Sequence, residues 1–292
     1  MNMAVALLID SASDVDMREA ESLGIALVPM TVLFDGESYQ DGINLTHRQF
    51  FEKLIESDAL PKTSQINAYQ FEERFRELTS AGHEVVAITL SSKLSGTYFS
   101  AAQAAKQFGS RVYVVDSLNA CIGERLLMQY ALRLIHQALP AREIAAQLDA
   151  AKRRIRLIAL LDTLEYLKKG GRISPTVALA GAMLHVKPVI AIEDGEVRLI
   201  GKAIGSKKGN NLLMQLVNAS GGIDFSMPYA TAYSGLEDSL LQKYLNDSAA
   251  LWRQNTAYVP VYSIGSTIGA HVGPGAIAVA FFAPPQSGAS AG

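Results

Sequence analysis

The side chains best suited to chemistry lie in short polar segments that are far apart in this sequence. One of them, at residues 91–98, reads SSKLSGTY, follows a predicted strand and opens a helical pattern. In an open parallel sheet, ligands bind beyond the carboxyl ends of the strands, and a helix N-terminus offers free N–H groups to an anion. Ser95, Gly96 and Thr97 are therefore candidate anion-binding residues, although Ser95 fits a helix N-cap equally well.

A second segment, PKTSQ at residues 61–65, places Thr63 and Ser64 in a predicted loop at the edge of the first domain. Their hydroxyl groups are potential hydrogen-bond donors to a ligand. Hydroxyls in such loops more often bond to their own backbone, so this segment alone does not assign a function.

The third segment, LEYLKKGGRIS at residues 164–174, predicts a short helix that ends at Gly170 and Gly171 and a second helix after it. The glycines let the backbone come close to a ligand. Arg172 lies between the two predicted helix ends, where its guanidinium suits a carboxylate or a phosphate. An ordinary surface ion pair accounts for this arginine as well.

The fourth segment, STIGAHVGPG at residues 266–275, sets His271 and Val272 in a predicted constrained turn. Its last residues match the letters of a dinucleotide fingerprint, but a strand follows where that fingerprint needs a helix, so nucleotide binding is not expected. The five histidines show no spacing typical of a metal site, and Cys121 is the only cysteine. Neither a metal, a cofactor nor an internal disulfide is therefore expected.

Composition places these segments in a globular protein of two domains. The chain has 292 residues, of which 49% are hydrophobic. A chain of this length is longer than a single hydrophobic core usually supports. Its 26 basic and 28 acidic side chains nearly cancel, which argues against a nucleic-acid partner. The single cysteine fits a reducing compartment, and the apolar start of the chain is too short for a signal or membrane segment. We therefore expect a cytoplasmic protein.

The first half of the chain alternates short apolar runs with amphipathic stretches, which predicts βα units on a parallel, Rossmann-like sheet. A capping box at Thr46 predicts a helix up to residue 55, and Asn67 is a predicted cap for the next helix. A loop is predicted between these two helices, at residues 58–67, because it contains a proline and lacks helical periodicity. The predicted strands are residues 5–9, 26–34, 85–90 and 112–115.

The second half has a different pattern, which predicts a mixed-sheet α/β domain. Asp194-Gly195 lies between two apolar runs and predicts a tight hairpin. Two helices, at about 122–138 and 141–154, lead to an apolar strand near 157–161, and the predicted domains are residues 1–158 and 159–292, with a frayed tail from about 284. Beyond the hairpin, strands are predicted at residues 229–233, 258–263 and 277–282.

Taken together, the motifs resemble the DegV family, which includes the fatty-acid-binding subunits of bacterial fatty acid kinase. The resemblance spans almost the whole chain and implies one long-chain fatty acid bound between the two domains, with its carboxylate at Thr63, Ser95 and His271 and with Arg172 close by. The segments that carry it are Asp10-Ser11, Thr63-Ser64-Gln65, Ser95-Gly96-Thr97-Tyr98, Val115-Asp116-Ser117, residues 167–173, Lys187-Pro188 and residues 271–275. The full set expected at the carboxylate is Thr63, Ser64, Ser95, Gly96, Thr97, Arg172, His271 and Val272.

Val272, Tyr233 and the segment at residues 118–123 depart from the family pattern. Val272 stands where relatives commonly carry threonine, which removes a hydroxyl near the expected carboxylate, and Tyr233 stands where they often have histidine. Contacts with the ligand head group and with partners are therefore expected to differ. The acyl chain is expected to run along apolar residues at 178–184 and 190–192, although plain core packing explains these residues equally well.

The resemblance also implies a partner, the kinase that phosphorylates the bound acid. Between residues 152 and 208 there are twelve Lys or Arg and five Asp or Glu, an excess of seven positive charges. This cluster suits an acidic kinase subunit, an acyl phosphate, or transient contact with an anionic membrane surface. The same basic residues are equally consistent with a solvent-exposed surface that binds no partner.

The favoured interpretation is thus a monomeric carrier that binds a fatty acid and does not turn it over. The alternative is an acyl-transfer or esterase enzyme in which His271 activates Ser95. No GxSxG elbow surrounds Ser95, and no acidic residue is identifiable as the orienter of the histidine. A nucleic-acid regulator ranks last, because the basic cluster lacks interleaved aromatic residues.

Overall fold

The computed structural model describes residues 4–174, 176 and 186–285, which form three sheets with helices packed against them. The strands are β1 (Val5–Asp10), β2 (Ala26–Val28), β3 (Thr31–Phe34), β4 (Glu37–Gln40), β5 (Lys62–Ser64), β6 (Glu84–Thr89), β7 (Val112–Asp116), β8 (Ile155–Leu160), β9 (Val186–Glu193), β10 (Glu196–Ile204), β11 (Tyr229–Tyr233), β12 (Val261–Ser263) and β13 (Ile277–Phe282). The helices of the described residues are α1 (Met17–Leu23), α2 (His47–Glu56), α3 (Ala68–Ser80), α4 (Thr97–Ala105), α5 (Cys121–His136), α6 (Ala141–Ala151), α7 (Glu165–Lys169), α8 (Ser206–Ala219), α9 (Ser239–Asp247), α10 (Ala249–Arg253) and α11 (Ser266–Val272).

The predicted parallel sheet of the first half is confirmed. Its order is β2-β1-β6-β7, and every pairing is parallel. In β6, the four residues from Val85 to Ile88 are completely buried, as expected of a strand that is covered by helices on both faces. Both predicted helix starts are also confirmed, since Thr46 and Asn67 each form a capping box with the glutamine three residues later.

The predicted mixed sheet of the second half is confirmed as a six-stranded sheet with the order β10-β9-β8-β13-β11-β12. The hairpin between β9 and β10 turns at Asp194 and Gly195, whose φ angles of 48° and 84° are those of a tight turn. The predicted domain boundary at residue 158 falls inside β8, the strand that begins the mixed sheet at Ile155. The division into two domains itself stays a prediction.

Two predictions for residues 26–67 were wrong. The single strand predicted at 26–34 is two strands in different sheets, since β2 joins the parallel sheet and β3 pairs with β4 and β5. Pro29 separates them because it cannot donate to a sheet ladder. The loop predicted at 58–67 contains β5, whose Thr63 lies opposite Val32 of β3. A strand therefore fixes the orientation of Thr63.

The turn predicted around His271 is also wrong, because residues 266–272 form α11. Two buried carboxylates accept the N–H groups at the start of this helix. Asp14 accepts from Gly265 at 2.8 Å, and Asp41 accepts from Ser266 N at 3.0 Å and from Thr267 N at 3.2 Å. These tertiary caps stabilise a short helix that has no side-chain cap of its own and place His271 in its last turn.

Close packing fixes the depth at which α11 lies. Gly269 faces the aromatic rings of α2, and a Cβ atom at this position would lie 2.6 Å from Phe50 Cε1. The helix therefore approaches α2 more closely than any residue with a side chain would allow. Among the described residues, no helix combines the length and the apolar character needed to cross a bilayer.

Candidate functional site

A cavity lies where the carboxyl ends of the parallel strands meet the mixed sheet. Most of the lining is apolar, and its hydroxyl, imidazole and guanidinium groups all come from the four segments identified above. The lining residues are Met30, Thr63, Leu90, Leu94, Ser95, Ala120, Cys121, Leu157, Ala159, Leu161, Leu167, Arg172, Ile190, Ile192, Val197, Ile264, Thr267, Ile268, His271, Val272, Ala276 and Ala278.

A hydrogen bond between the two halves of the chain marks the polar end of this cavity. The Oγ1 atom of Thr63 lies 2.8 Å from Nε2 of His271, although the two residues are 208 positions apart. Strand β5 holds the threonine and helix α11 holds the histidine. The predicted convergence of these two segments is therefore present in the structure.

His271 is a neutral imidazole at physiological pH. Burial lowers its pKa to about 4, and the positive charge of Arg172 acts in the same direction. Its Nδ1 atom is buried against Gly170 and has no hydrogen-bond partner among the described residues. An unpaired acceptor costs less than an unpaired N–H, so we assign the proton to Nε2, which donates to Thr63. The hydroxyl of Thr63 is then free to donate its own proton to a ligand.

Arg172 is a half-buried cation whose partners are carbonyl groups. Its Nε donates to Leu94 O at 3.1 Å and one terminal nitrogen donates to Gly170 O at 2.6 Å. None of the ion pairs in the described part of the chain involves this arginine. Burial lowers its pKa from the usual value, but an arginine stays charged in proteins. Among the residues that the structure describes, Arg172 is therefore a positive charge without an acidic partner at the polar end of the cavity.

Ser95 lies on the same side of the cavity, in the turn before α4. Its Oγ atom is 2.9 Å from Thr97 Oγ1 and accepts a hydrogen bond from Thr97 N at 3.3 Å. The helix itself begins after Gly96 and has no side-chain cap at that residue. The carbonyl of the preceding residue, Leu94, accepts a hydrogen bond from Arg172. The backbone of residues 94 and 95 therefore holds the guanidinium and the serine hydroxyl close to each other.

The eight residues expected at the carboxylate divide into two groups. Five of them line the cavity, whereas Ser64, Gly96 and Thr97 do not. Ser64 is exposed on an edge strand, and Thr97 is buried behind Ser95, where it accepts a hydrogen bond from Ile66 N at 3.3 Å. The role of each residue in binding stays a prediction. The lining members are Thr63, Ser95, Arg172, His271 and Val272.

Thr267 is a polar lining residue that the sequence analysis missed. It lies one helical turn before His271, so both side chains are on the same face of α11. Its Oγ1 atom is buried and has no hydrogen-bond partner among the described residues. The spacing of four residues between Thr267 and His271 could have indicated that the two side chains share a helix face. Thr267 therefore adds a hydroxyl group to the lining of the cavity.

Asp10-Ser11, the first of the segments that carry the resemblance, supports the site without lining it. The buried carboxylate of Asp10 accepts from Ala12 N at 2.9 Å and from Leu90 N at 2.8 Å, which ties the end of β1 to the end of β6. Burial raises the pKa of Asp10 to about 7. These bonds fix the backbone that leads from β6 to Ser95.

The apolar part of the cavity is formed largely by the mixed sheet. Leu157, Ala159 and Leu161 project into it from β8 and the residue after it, at alternate positions. Of the predicted lining at 190–192, Ile190 and Ile192 face the cavity, whereas Ala191 faces the other side of the sheet. The other predicted lining, at 178–184, lies outside the described residues.

The predicted basic cluster is partly neutralised in the structure. Ion pairs join Lys152 to Asp149 at 2.7 Å, Arg153 to Asp194 at 3.6 Å and Arg154 to Asp224 at 2.6 Å. Lys187 pairs with Asp162, and Arg198 pairs with Glu196. The excess of positive charge is therefore spread over several local pairs, and Arg172 differs from these cations in facing the cavity.

Comparison with known proteins gives consistent matches over nearly the whole chain. A family model described as "uncharacterised protein, DegV family" matches residues 4–284. A DegV domain-containing protein of Caldanaerobacter subterraneus is 34% identical over 281 residues, which are 95% of this chain and 98% of that protein. A Thermus thermophilus structure, described as fatty acid binding of a DegV family protein, has 30% identity and a TM-score of 0.85, and the match covers 96% of this chain and 100% of that one. A stearic acid-binding protein from Eubacterium ventriosum has 26% identity and a TM-score of 0.84, with 94% and 97% covered.

The environment of His271 predicts its titration. In the ligand-free protein labelled with nitrogen-15, we expect the ring of His271 to remain neutral at about pH 5, where an ordinary histidine is mostly protonated. Because the folded pKa is below the unfolded one, this residue stabilises the fold above about pH 6.5, and its contribution is lost as the pH falls through about 4. The His271→Gln variant identifies the resonance. A protonated ring at about pH 5 would contradict the assignment.

Proposed function

The chain belongs to the DegV family, and on that premise we propose that it binds one long-chain fatty acid in the cavity and presents the carboxylate to a separate kinase. The observation that carries the proposal is the division of this cavity into two parts. In the part of the chain that the structure describes, one end has a cation without an acidic partner and hydroxyl donors around it, and the rest is apolar. An amphiphile with one negative charge and a long hydrocarbon chain matches this cavity, since its charged head suits the polar end and its chain suits the apolar part.

The carboxylate is assigned to the guanidinium of Arg172 and to the hydroxyls of Thr63 and Ser95. Removing a carboxylate from water is costly unless several donors replace the water. Arginine supplies a charged donor, and the hydroxyl of Thr63 is oriented by the neutral ring of His271. Thr267 contributes a further hydroxyl from the same helix. The acid is therefore expected to bind in its ionised form.

The hydrocarbon chain supplies most of the affinity. Each buried methylene is worth about 0.8 kcal/mol, so a sixteen-carbon chain provides on the order of 12 kcal/mol before the costs of ordering are subtracted. The alternate residues of β8 and β9 offer an apolar surface along which such a chain can lie. The described fatty-acid binding of relatives from Thermus thermophilus and Eubacterium ventriosum supports this assignment.

The geometry favours a carrier over an acyl-transfer enzyme. Among the described residues, Ser95 Oγ forms its hydrogen bonds with Thr97, whereas His271 Nε2 is engaged with Thr63. The hydrogen bonds of the described residues include none between Ser95 and His271. A serine nucleophile needs a base within hydrogen-bond reach, and the histidine here serves a different hydroxyl.

The proposed presentation requires the carboxyl end to be approachable by a partner. Helix α7 ends with Lys168 and Lys169 directly before the backbone that carries Arg172, and Lys169 is exposed. These cations suit a partner with an acidic surface, as a kinase subunit docking at the head of the acid requires. The monomeric state of the protein remains part of this proposal.

Removal of the unneutralised cation tests the assignment of the head group. We expect Arg172→Met to weaken palmitate binding about tenfold or more, since hydrogen bonds to charged groups are worth roughly 1.5 to 3 kcal/mol. Binding of hexadecanol, which has the same chain without the charge, should change little. Calorimetry of delipidated protein with both ligands measures the difference.

Lys169→Met is the matched control, because it removes an equal charge from the exposed end of α7. We expect it to change palmitate affinity by less than about threefold, as surface charges contribute little. Native mass spectrometry of freshly purified wild-type protein should show one fatty acid per chain. Repeated recovery of empty protein that also fails to bind added palmitate would remove the proposal.

Two assays distinguish a carrier from an enzyme. With palmitate and ATP, the protein alone should form no acyl phosphate, and adding a fatty acid kinase should produce it. With a nitrophenyl ester, Ser95→Ala should hydrolyse the substrate as slowly as the wild type. A covalent acyl group on Ser95, or hydrolysis that disappears in this variant, would favour the acyl-transfer enzyme.

A further inference from the structure

The cavity has a defined far end, which the course of β8 locates. Gly275 lies beside Asp162, with an ideal Cβ atom 3.6 Å from that side chain, so the carboxyl end of β8 is next to the end of α11 that carries His271. Leu161 is thus near the polar end. Leu157 is four residues earlier on the same face, on the order of 13 Å away at the rise of a β-strand. Leu157 therefore lies at the hydrocarbon end of the cavity.

Ile192 completes this far end from the neighbouring strand. The register pairs Ile158 with Ala191 and Ala159 with Ile190, which places Ile192 beside Leu157. Residues that are paired across two strands project from the same face of the sheet. Leu157 is buried and Ile192 is partly buried, and both belong to the central apolar cluster. The two side chains form a continuous apolar surface across the end of the cavity.

A second cleft lies directly behind these two residues. It is bounded by Leu118 and Asn119, by Ile200 of β10, by Leu216 of α8, and by charged residues at its rim that include Arg156. Of the described residues that line either space, only Leu157 and Ile192 line both. They are therefore the partition between the cavity and the cleft.

We propose that Leu157 and Ile192 determine the longest acyl chain that this protein accepts. The inference rests on the proposed fatty-acid binding and goes beyond it by assigning chain-length selection to two side chains. A chain that reaches the partition either stops there or must displace packed side chains, which overpacks the core. Truncation of both residues joins the cavity to the cleft and gives the chain room to continue.

Chain length then affects affinity in two regimes. While methylenes are still being buried, the dissociation constant should fall roughly fourfold for each one added, which corresponds to about 0.8 kcal/mol. Once the chain meets Leu157 and Ile192, further methylenes should give no gain and then a loss. The chain length at which affinity stops rising is the quantity that the partition controls.

The experiment measures dissociation constants for straight-chain saturated acids from dodecanoic to tetracosanoic acid, with the delipidated full-length protein. In Leu157→Ala/Ile192→Ala, the chain length of tightest binding should move to longer acids by two or more methylenes relative to the wild type. The single variants should each shift it less, and they keep the test valid if the double variant does not fold. Urea unfolding establishes that each variant is folded.

Two matched variants distinguish the effect of the partition on chain-length preference from the effects of neighbouring residues. Ile200→Ala enlarges the cleft without opening the partition, because Ile200 lines only the cleft, and it should leave the preferred length unchanged. Ala159→Leu narrows the cavity before the partition and should move the preference to shorter acids. An unchanged preference in the folded single or double alanine variants would overturn the inference while palmitate binding by the wild type still stands. A wild type that binds no acid at all would overturn both proposals.

Discussion

The site depends on a guanidinium at the end of an apolar cavity, for which the described residues provide no acidic partner. Arg172 is half-buried, its partners in the described part of the chain are two carbonyl oxygens, and its positive charge acts on His271. Carbonyl dipoles solvate such a charge only in part, so an anion that binds beside it replaces lost water and gains a charge-assisted hydrogen bond. Burial is the main reason that His271 is neutral, and the charge of Arg172 acts in the same direction. The polar end is thereby prepared for one negative group.

The fold brings the donors of this end together from segments that are distant in sequence. Strand β5 carries Thr63, the turn before α4 carries Ser95, and α11 carries His271. The position of α11 depends on Asp14 and Asp41, whose buried carboxylates accept its first N–H groups. Each donor is therefore positioned by contacts that exist only in the folded protein. The apolar part of the cavity needs no such contacts, because alternate side chains of β8 and β9 point into it.

The sequence predicted the parts of the fold that local chemistry decides. The capping boxes at Thr46 and Asn67, the Asp194-Gly195 hairpin and the buried strands of the parallel sheet are all encoded within a few residues. The errors concern elements that depend on distant partners. Strand β5 exists because β3 lies beside it, and α11 is helical because carboxylates elsewhere in the chain cap it.

A similar division applies to the candidate site. The polar segments around Thr63, Ser95, Arg172 and His271 were recognised by composition and by family resemblance, and the structure places all four at one cavity. The apolar lining was not predictable, because Leu157 or Ile192 at a cavity wall has the same sequence pattern as any core residue. Thr267 was not predicted for a related reason, because a threonine on a helix has no distinctive sequence pattern. Only the structure shows that its hydroxyl lacks a partner among the described residues.

The ionisation of the bound acid tests the central claim most directly. Palmitate labelled with carbon-13 at the carboxyl group, bound to the wild-type protein, gives an NMR resonance that reports the charge of that group as the pH is lowered. Binding beside Arg172 and several donors predicts that the bound carboxyl group stays ionised at lower pH than a free one, with its pKa depressed. A pKa raised above the ordinary value would show an acid buried among apolar groups, away from the guanidinium, and would contradict the account.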